Sequence, residues 1–206
     1  MFPTQSHPSF FMGTRHITMV VLNDEVVIAQ YGQWDGYPDG QGETISKFIR
    51  EKYDYAKFVN GLKKIKPLTE EIISDLHTQA QIFRNDGYLN TDEAKRLYAI
   101  VPELNRDTGA EILEMIQDGK VKYHDNAKDF IDDTLFCEWA YILYLDTEEL
   151  EVYGNDLGTT QKPKYKTDNP FLYRFKFSEL TKESMSMLAD WCNSGNIDLG
   201  LFKILL

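Results

Sequence analysis

Leu135-Phe136-Cys137-Glu138-Trp139-Ala140-Tyr141-Ile142-Leu143-Tyr144-Leu145 is apolar or aromatic at every position but Glu138. A strand with one wet face alternates polar and apolar residues, so an unbroken apolar run marks a strand covered on both faces. With a period of two, Cys137, Trp139, Tyr141 and Leu143 share one face, and Ala140, Ile142 and Tyr144 share the other. This run is the expected centre of a sheet. Asp146-Thr147-Glu148-Glu149 turns the chain into Leu150-Glu151-Val152-Tyr153, a hairpin, and Phe171 to Phe177 supplies a further strand.

The remaining strands come from the start of the chain. Ile17 to Leu22 and Val26 to Tyr31 are β-rich segments joined by Asn23-Asp24-Glu25, a hairpin signal. Between the two ends the apolar spacing becomes helical. Ile45, Phe48 and Ile49 start the first helix, and Tyr55, Phe58, Val59 and Leu62 the second, before Pro67 marks a boundary. Thr69-Glu70-Glu71 opens a third through Ile72, Leu76, Ala80 and Phe83, ended by Asn85-Asp86-Gly87. Thr91-Asp92-Glu93 opens a fourth, Asp107-Thr108-Gly109 a fifth, and Thr181 to Asn193 reads as the last. The expected fold class is α+β: an antiparallel sheet of about five strands from both chain ends, with a helical layer from the middle region 43–119. Residues 13–206 form a single domain in this reading, and 1–12 a flexible N-terminal extension.

Bulk properties narrow the function. A chain of 206 residues, 42% hydrophobic, can bury one sizeable core. Its net charge of -11 argues against non-specific attraction to nucleic acid or to an anionic membrane, so neither is an expected partner. A small ligand, a second copy of the chain or a protein partner remain open. Cys137 and Cys192 lie far apart in apolar segments and read as reduced thiols. With no membrane-length run and no signal core, the expected location is cytoplasmic. His16, His77 and His124 are scattered, and neither zinc spacing nor a phosphate-binding glycine motif occurs, so no metal and no cofactor are expected.

The candidate site is Gln33-Trp34-Asp35-Gly36-Tyr37-Pro38-Asp39-Gly40-Gln41-Gly42. Three glycines open to positive φ, together with Pro38, read as consecutive tight turns. Such a loop, feeding a helix, can bring a ligand's anionic group to free amides, unless Asp35, Asp39 and Glu43 cap those amides themselves. Trp34 and Tyr37 offer flat faces, Gln33 and Gln41 offer amides, and Arg15 offers a fork for phosphate or carboxylate. The expected ligand-binding set is Arg15, Gln33, Trp34, Asp35, Gly36, Tyr37, Gly40, Gln41 and Gly42 around a pocket beneath the loop, taking a small anionic, nucleotide-like molecule. In the competing structural reading, Trp34 and Tyr37 anchor the loop and Arg15 pairs with Asp35. A hydrolase would instead use Thr14 or Cys137 as nucleophile, Arg15 as oxyanion partner and Asp35 as orienting acid. A third alternative is an acidic interaction module.

Gly13-Thr14-Arg15 before a hairpin, then the Gln33 to Pro38 motif with Gly40 and Gly42, then Cys137-Glu138-Trp139-Ala140-Tyr141 leading to Leu150-Glu151-Val152-Tyr153, resembles a family of uncharacterised proteins seen in phages, bacteria and fungi. The resemblance implies a shared fold and site but no reaction, and it leaves the helical middle unmatched. In that family the chain often starts at the position of Met12, which makes Met1 to Phe11 an extension. Occurrence in phages suggests sequestering or degrading a host nucleotide signal, or blocking a host protein, in the host cytoplasm. The Gly-Thr-Arg start also resembles N-terminal-nucleophile hydrolases, with the departure that Gly13 stands ahead of Thr14.

Overall fold

A computed structural model describes residues 13–83, 89–154 and 159–194. Strands β1 (His16–Leu22) and β2 (Glu25–Gly32) form the first hairpin, with Asn23 and Asp24 both at positive φ, as a two-residue turn matched to strand twist requires. A five-residue π-helical turn, Pro38–Gly42, runs directly into α1 (Glu43–Glu51), followed by α2 (Tyr55–Leu62). The two-residue strand β3 (Lys66–Pro67) precedes α3 (Glu70–Gln79) and α4 (Thr91–Ile100). Then come α5 (Ile112–Gln117), the two-residue β4 (Tyr123–His124), β5 (Trp139–Tyr144), β6 (Glu149–Tyr153), β7 (Phe171–Lys176) and α6 (Ser184–Ser194). Helix starts follow local chemistry: Thr69 accepts from the Ile72 amide, and Asn90 and Glu93 form a reciprocal capping box. The Asn85-Asp86-Gly87 stop lies outside the described residues; α3 ends earlier, at Gln79.

The main sheet has the order β2-β1-β5-β6-β7, built from both chain ends as the α+β reading expects. One pairing differs from a purely antiparallel sheet. β1 runs parallel to β5, from His16 beside Trp139 to Val21 beside Tyr144, while the other pairs are antiparallel. Both hairpins are local, so their mutual direction is set by where the helical middle returns the chain. β5 is central and covered on both faces, but it begins at Trp139 rather than Leu135. The Asp133 carbonyl accepts from the amides of Phe136 and Cys137, forming a turn that leaves Leu135 and Phe136 exposed and breaks the period-two alternation. Cys137 therefore packs with Ala140 and Ile142, opposite the face of Trp139, Tyr141 and Leu143.

Helices α1, α2, α5 and α6 cover the face of Tyr141 and Leu143 through Phe48, Phe58, Leu113, Ile116, Leu188 and Trp191. α3 and α4 build a separate small core from Leu76, Ala80, Leu97 and Val101, so the helical middle is two packed groups rather than one layer. The opposite sheet face is covered by Phe130 and Ile131 from the short 3-10 helix Lys128–Asp132 and by Tyr165 from the loop before β7. The free edge of β2 is covered by β4 and the segment that follows it: the Ala29 amide donates to His124 Nε2 at 2.8 Å, and the Ala127 amide donates to the Ala29 carbonyl. Among the described residues no helix is long and apolar enough to cross a membrane.

Glu151 of β6 is fully buried in that second face. Its carboxylate accepts from the Tyr153 hydroxyl at 2.6 Å, the Tyr144 hydroxyl at 2.9 Å, the Lys164 amide at 2.8 Å and Arg174 Nη1 at 3.2 Å. Burial and this negative charge together raise the pKa of both phenols. Lys164 itself bonds Glu149, which ties the loop between β6 and β7 to the sheet. Glu151→Ala should cost about 2 to 3 kcal/mol by removing the shared acceptor of the Tyr144 and Tyr153 hydroxyls and the Lys164 amide, while Arg174 keeps Glu149, read as a lowered urea midpoint. A loss below about 1 kcal/mol would mean the network does not seat this loop.

Candidate functional site

The Gln33 to Gly42 loop lies across the end of the sheet where β1 and β5 begin and β2 ends. Three hydrogen bonds fix it there: Gly36 amide to Thr14 carbonyl at 3.0 Å, Gln33 amide to Arg106 carbonyl at 3.1 Å, and Tyr141 hydroxyl to Gly36 carbonyl at 2.7 Å. Its second half is helical. The amides of Gly40 and Gly42 donate to the Tyr37 carbonyl, that of Gln41 to Asp35, and that of Glu43 to Gly40. The expected anion site at free helix amides is thus overturned, because the π-turn spends them on its own carbonyls. No side chain caps this turn or α1, and Glu43 bonds Arg50 at 2.8 Å instead.

The glycines act by size rather than by φ. Among described residues the glycines at positive φ are Gly109, Gly119 and Gly154, and within the loop the left-handed residue is Asp35, at φ 59°. A Cβ on Gly36 would sit 2.8 Å from the Thr14 carbonyl oxygen, and one on Gly40 2.4 Å from that of Asp35. Gly42 faces the Tyr141 ring and Met185 at 3.1 and 3.2 Å. The space beneath the loop is therefore filled by protein. Among the described residues, cavities of about 200 to 510 Å³ open elsewhere, lined by residues other than 33–42.

At the centre of this packing is His16, a residue that spacing could not single out. Its imidazole is fully buried, a Cβ on Gly32 would come within 2.0 Å of its ring, and Gly36 and Gly109 also crowd it. Neither ring nitrogen has a hydrogen-bond partner among the described residues. Burial pushes its pKa down to about 4, the Thr14 backbone offsetting only part of the effect. Burial likewise lowers His124 to about 4. Both imidazoles are neutral at pH 7.

The predicted site residues separate into inner and outer sets. Gln41 Oε1 accepts from the Ala110 amide at 2.8 Å, and Gln33 Oε1 from the Tyr31 hydroxyl at 2.6 Å, so both amide oxygens are engaged. Trp34 and Tyr37 are 42% and 49% exposed; the Trp34 indole N–H donates to Asp107, and Tyr37 leans on Trp139 with centroids 6.3 Å apart. The Arg15–Asp35 ion pair of the competing structural reading is absent among the described residues. Arg15 places its guanidinium 4.6 Å from the centroid of the Phe136 ring, while its backbone amide donates to Glu138. Among the described residues it has no carboxylate partner, and with Arg106 it lies close enough to Tyr31 to favour the ionised phenol, against the larger effect of burial.

The nucleophile candidates do not converge. Thr14 is buried and its carbonyl holds Gly36, whereas Asp35 is exposed. Cys137 is buried, its Sγ 3.4 Å from the Trp139 carbonyl, and burial pushes its thiol up to about 12. A thiol in that state is a poor nucleophile at neutral pH. Among the described residues no group of three or more His, Cys, Asp or Glu is placed to hold a metal ion. Comparison with family models, curated proteins and solved structures returned no match.

Two outcomes are expected from this geometry. Gly36→Ala and Gly40→Ala should each destabilise by about 1 to 3 kcal/mol, since the added methyl meets backbone oxygen rather than a flexible side chain. Equal midpoints for both variants and wild type would refute the close approach. Stability should also fall with pH. Between the unfolded value of 6.5 and about 4, the unfolded chain takes protons that folded His16 and His124 refuse. Stability is then full above pH 6.5 and falls by about 2 kcal/mol per histidine on reaching pH 5. His16→Gln should show a smaller drop between pH 7 and 5 than wild type in urea titrations; identical drops would show that His16 does not titrate this way.

Proposed function

We propose that this protein binds a small anionic, nucleotide-like ligand on the outer face of the Gln33 to Gly42 loop, at the sheet end where β1 and β5 begin. The supporting observation is Arg15. In a chain with 33 acidic residues against 22 Lys and Arg, this guanidinium rests on a ring and has no carboxylate partner among the described residues. An arginine stacked by its face leaves its N–H edge for a phosphate or carboxylate. Arg106 adds a second positive charge near Tyr31, while the Trp34 and Phe136 rings offer apolar surface for a planar group. The role is capture of the ligand, which in a phage setting amounts to sequestering a host nucleotide signal. Hydrolysis has less support because the thiol that would carry it is buried.

A thermal-shift screen with nucleotides and anionic metabolites tests this. A true ligand at a hundred times its dissociation constant should stabilise the protein by about 2.7 kcal/mol. Arg15→Ala should abolish the shift, and Arg15→Lys should weaken binding markedly, because an ammonium cannot make two parallel hydrogen bonds, with little change in apo stability. No shift with any compound, or a shift that survives Arg15→Ala, would overturn the proposal. Product formation in the same samples would make the protein an enzyme rather than a binder.

A further inference from the structure

A cleft of about 380 Å³ opens near the turn of the first hairpin, away from the sheet end that carries the Gln33 to Gly42 loop. Leu22 of β1, Val27 of β2, Val59 and Leu62 of α2, and Ile65 after it give the cleft an apolar wall, and each is only partly buried against the main core. An apolar occupant would take that surface out of water. Lys63 and Lys66 line the cleft too, and both are exposed, so their ammonium groups stand at its mouth. The described lysines in ion pairs are Lys52, Lys57, Lys120, Lys164 and Lys176, which leaves these two uncommitted. Deeper in the wall is His124, whose Nε2 accepts from the Ala29 amide, so the neutral ring bears its proton on Nδ1. That N–H has no acceptor among the described residues and is not a fully enclosed atom, so it stays open to one in the cleft.

We propose that this cleft binds a medium-chain aliphatic carboxylate, its chain against Val27, Val59 and Leu62 and its head group on the side of Lys66 and His124, with Lys63 as a second cation. The pairing of β3 with β4 puts Lys66 beside Tyr123 and Pro67 beside His124, so the lysine and the imidazole share one side of the cleft. Charge supports an anion. In a chain of net charge -11, this wall carries two lysines and no carboxylate, while Asp125, whose charge reaches His124, lines a different cavity with Tyr31 and Arg106. Size sets the chain length: at roughly 30 Å³ per water the cleft has room for about twelve waters, which matches an acid of about eight to ten carbons rather than a long-chain lipid. No Phe, Tyr or Trp lines it, so a nucleotide base would find no stacking face, which separates this ligand class from the one proposed at Arg15.

The test titrates the full chain calorimetrically with sodium octanoate, with 1-octanol as the neutral control and octylamine as the cationic one. Octanoate should bind saturably and at least about tenfold more tightly than either control. Lys63→Glu combined with Lys66→Glu, a change confined to exposed side chains, should weaken octanoate at least about tenfold and reverse the preference in favour of octylamine. Val59→Trp, which fills the cleft from α2, should abolish octanoate binding; should that variant fail to fold, the double lysine variant still decides. Arg15→Ala should leave octanoate binding intact, so this site and the one at Arg15 can fail separately. No saturable binding by wild type, or equal affinity for octanoate and octylamine, would overturn the proposal. Octanoate binding unchanged in the double lysine variant, or lost in Arg15→Ala, would place the acid elsewhere and overturn it equally.

Discussion

The parallel pairing of β1 with β5 is the constraint on which the rest of the molecule depends. Parallel neighbours cannot be joined by a tight turn, so the chain between them must leave the sheet, pack against a face and return to the end where β1 starts. β2 ends at that same end, with Gly32 beside His16, so the departing loop and the returning strand meet there. Gly13 to Arg15, the Gln33 to Gly42 loop and Glu138 converge for this reason. Contacts such as Tyr141 hydroxyl to Gly36 carbonyl and Arg15 amide to Glu138 are consequences of strand order.

Convergence of three chain segments over one buried imidazole leaves little volume, and the glycine content follows from that shortage. Gly32, Gly36 and Gly109 stand around His16 where a methyl would overlap the ring or nearby backbone. The loop is in consequence packed over the sheet end, with Trp34 and Tyr37 half-exposed on its outer side. A buried neutral imidazole there also ties stability to pH, since protonation would place a charge in a desolvated site that the Thr14 backbone compensates only in part.

Charge is distributed with similar economy. Most of the described lysines and arginines that form contacts do so with acids: Arg50 with Glu43, Lys52 with Glu114, Lys164 with Glu149 and Arg174 with Glu151. Arg15 and Glu103 are among the groups that depart from this balance, in opposite senses. Arg15 is a cation held by a ring, and Glu103 is a carboxylate with one oxygen unserved.

The sequence by itself determined the elements. Apolar periods of 2 and 3.6, the Asn23-Asp24 turn, the Thr69 cap and the apolar run ending at Leu145 are local, and each lies in or beside the strand or helix it implied, although β5 starts only at Trp139. It also marked the Gln33 to Gly42 loop and Arg15 as unusual, from composition alone. Only the tertiary structure decided that β1 and β5 run parallel, that Cys137 faces away from Trp139, and that the loop glycines serve close approach instead of positive φ. The same is true of His16, Glu103 and Glu151, ordinary residues in sequence whose burial comes from chain segments far away. The physical reason is range: propensity and capping act over a few residues, whereas strand direction, steric exclusion and desolvation depend on partners such as Gly36 and Tyr141, separated by 105 positions.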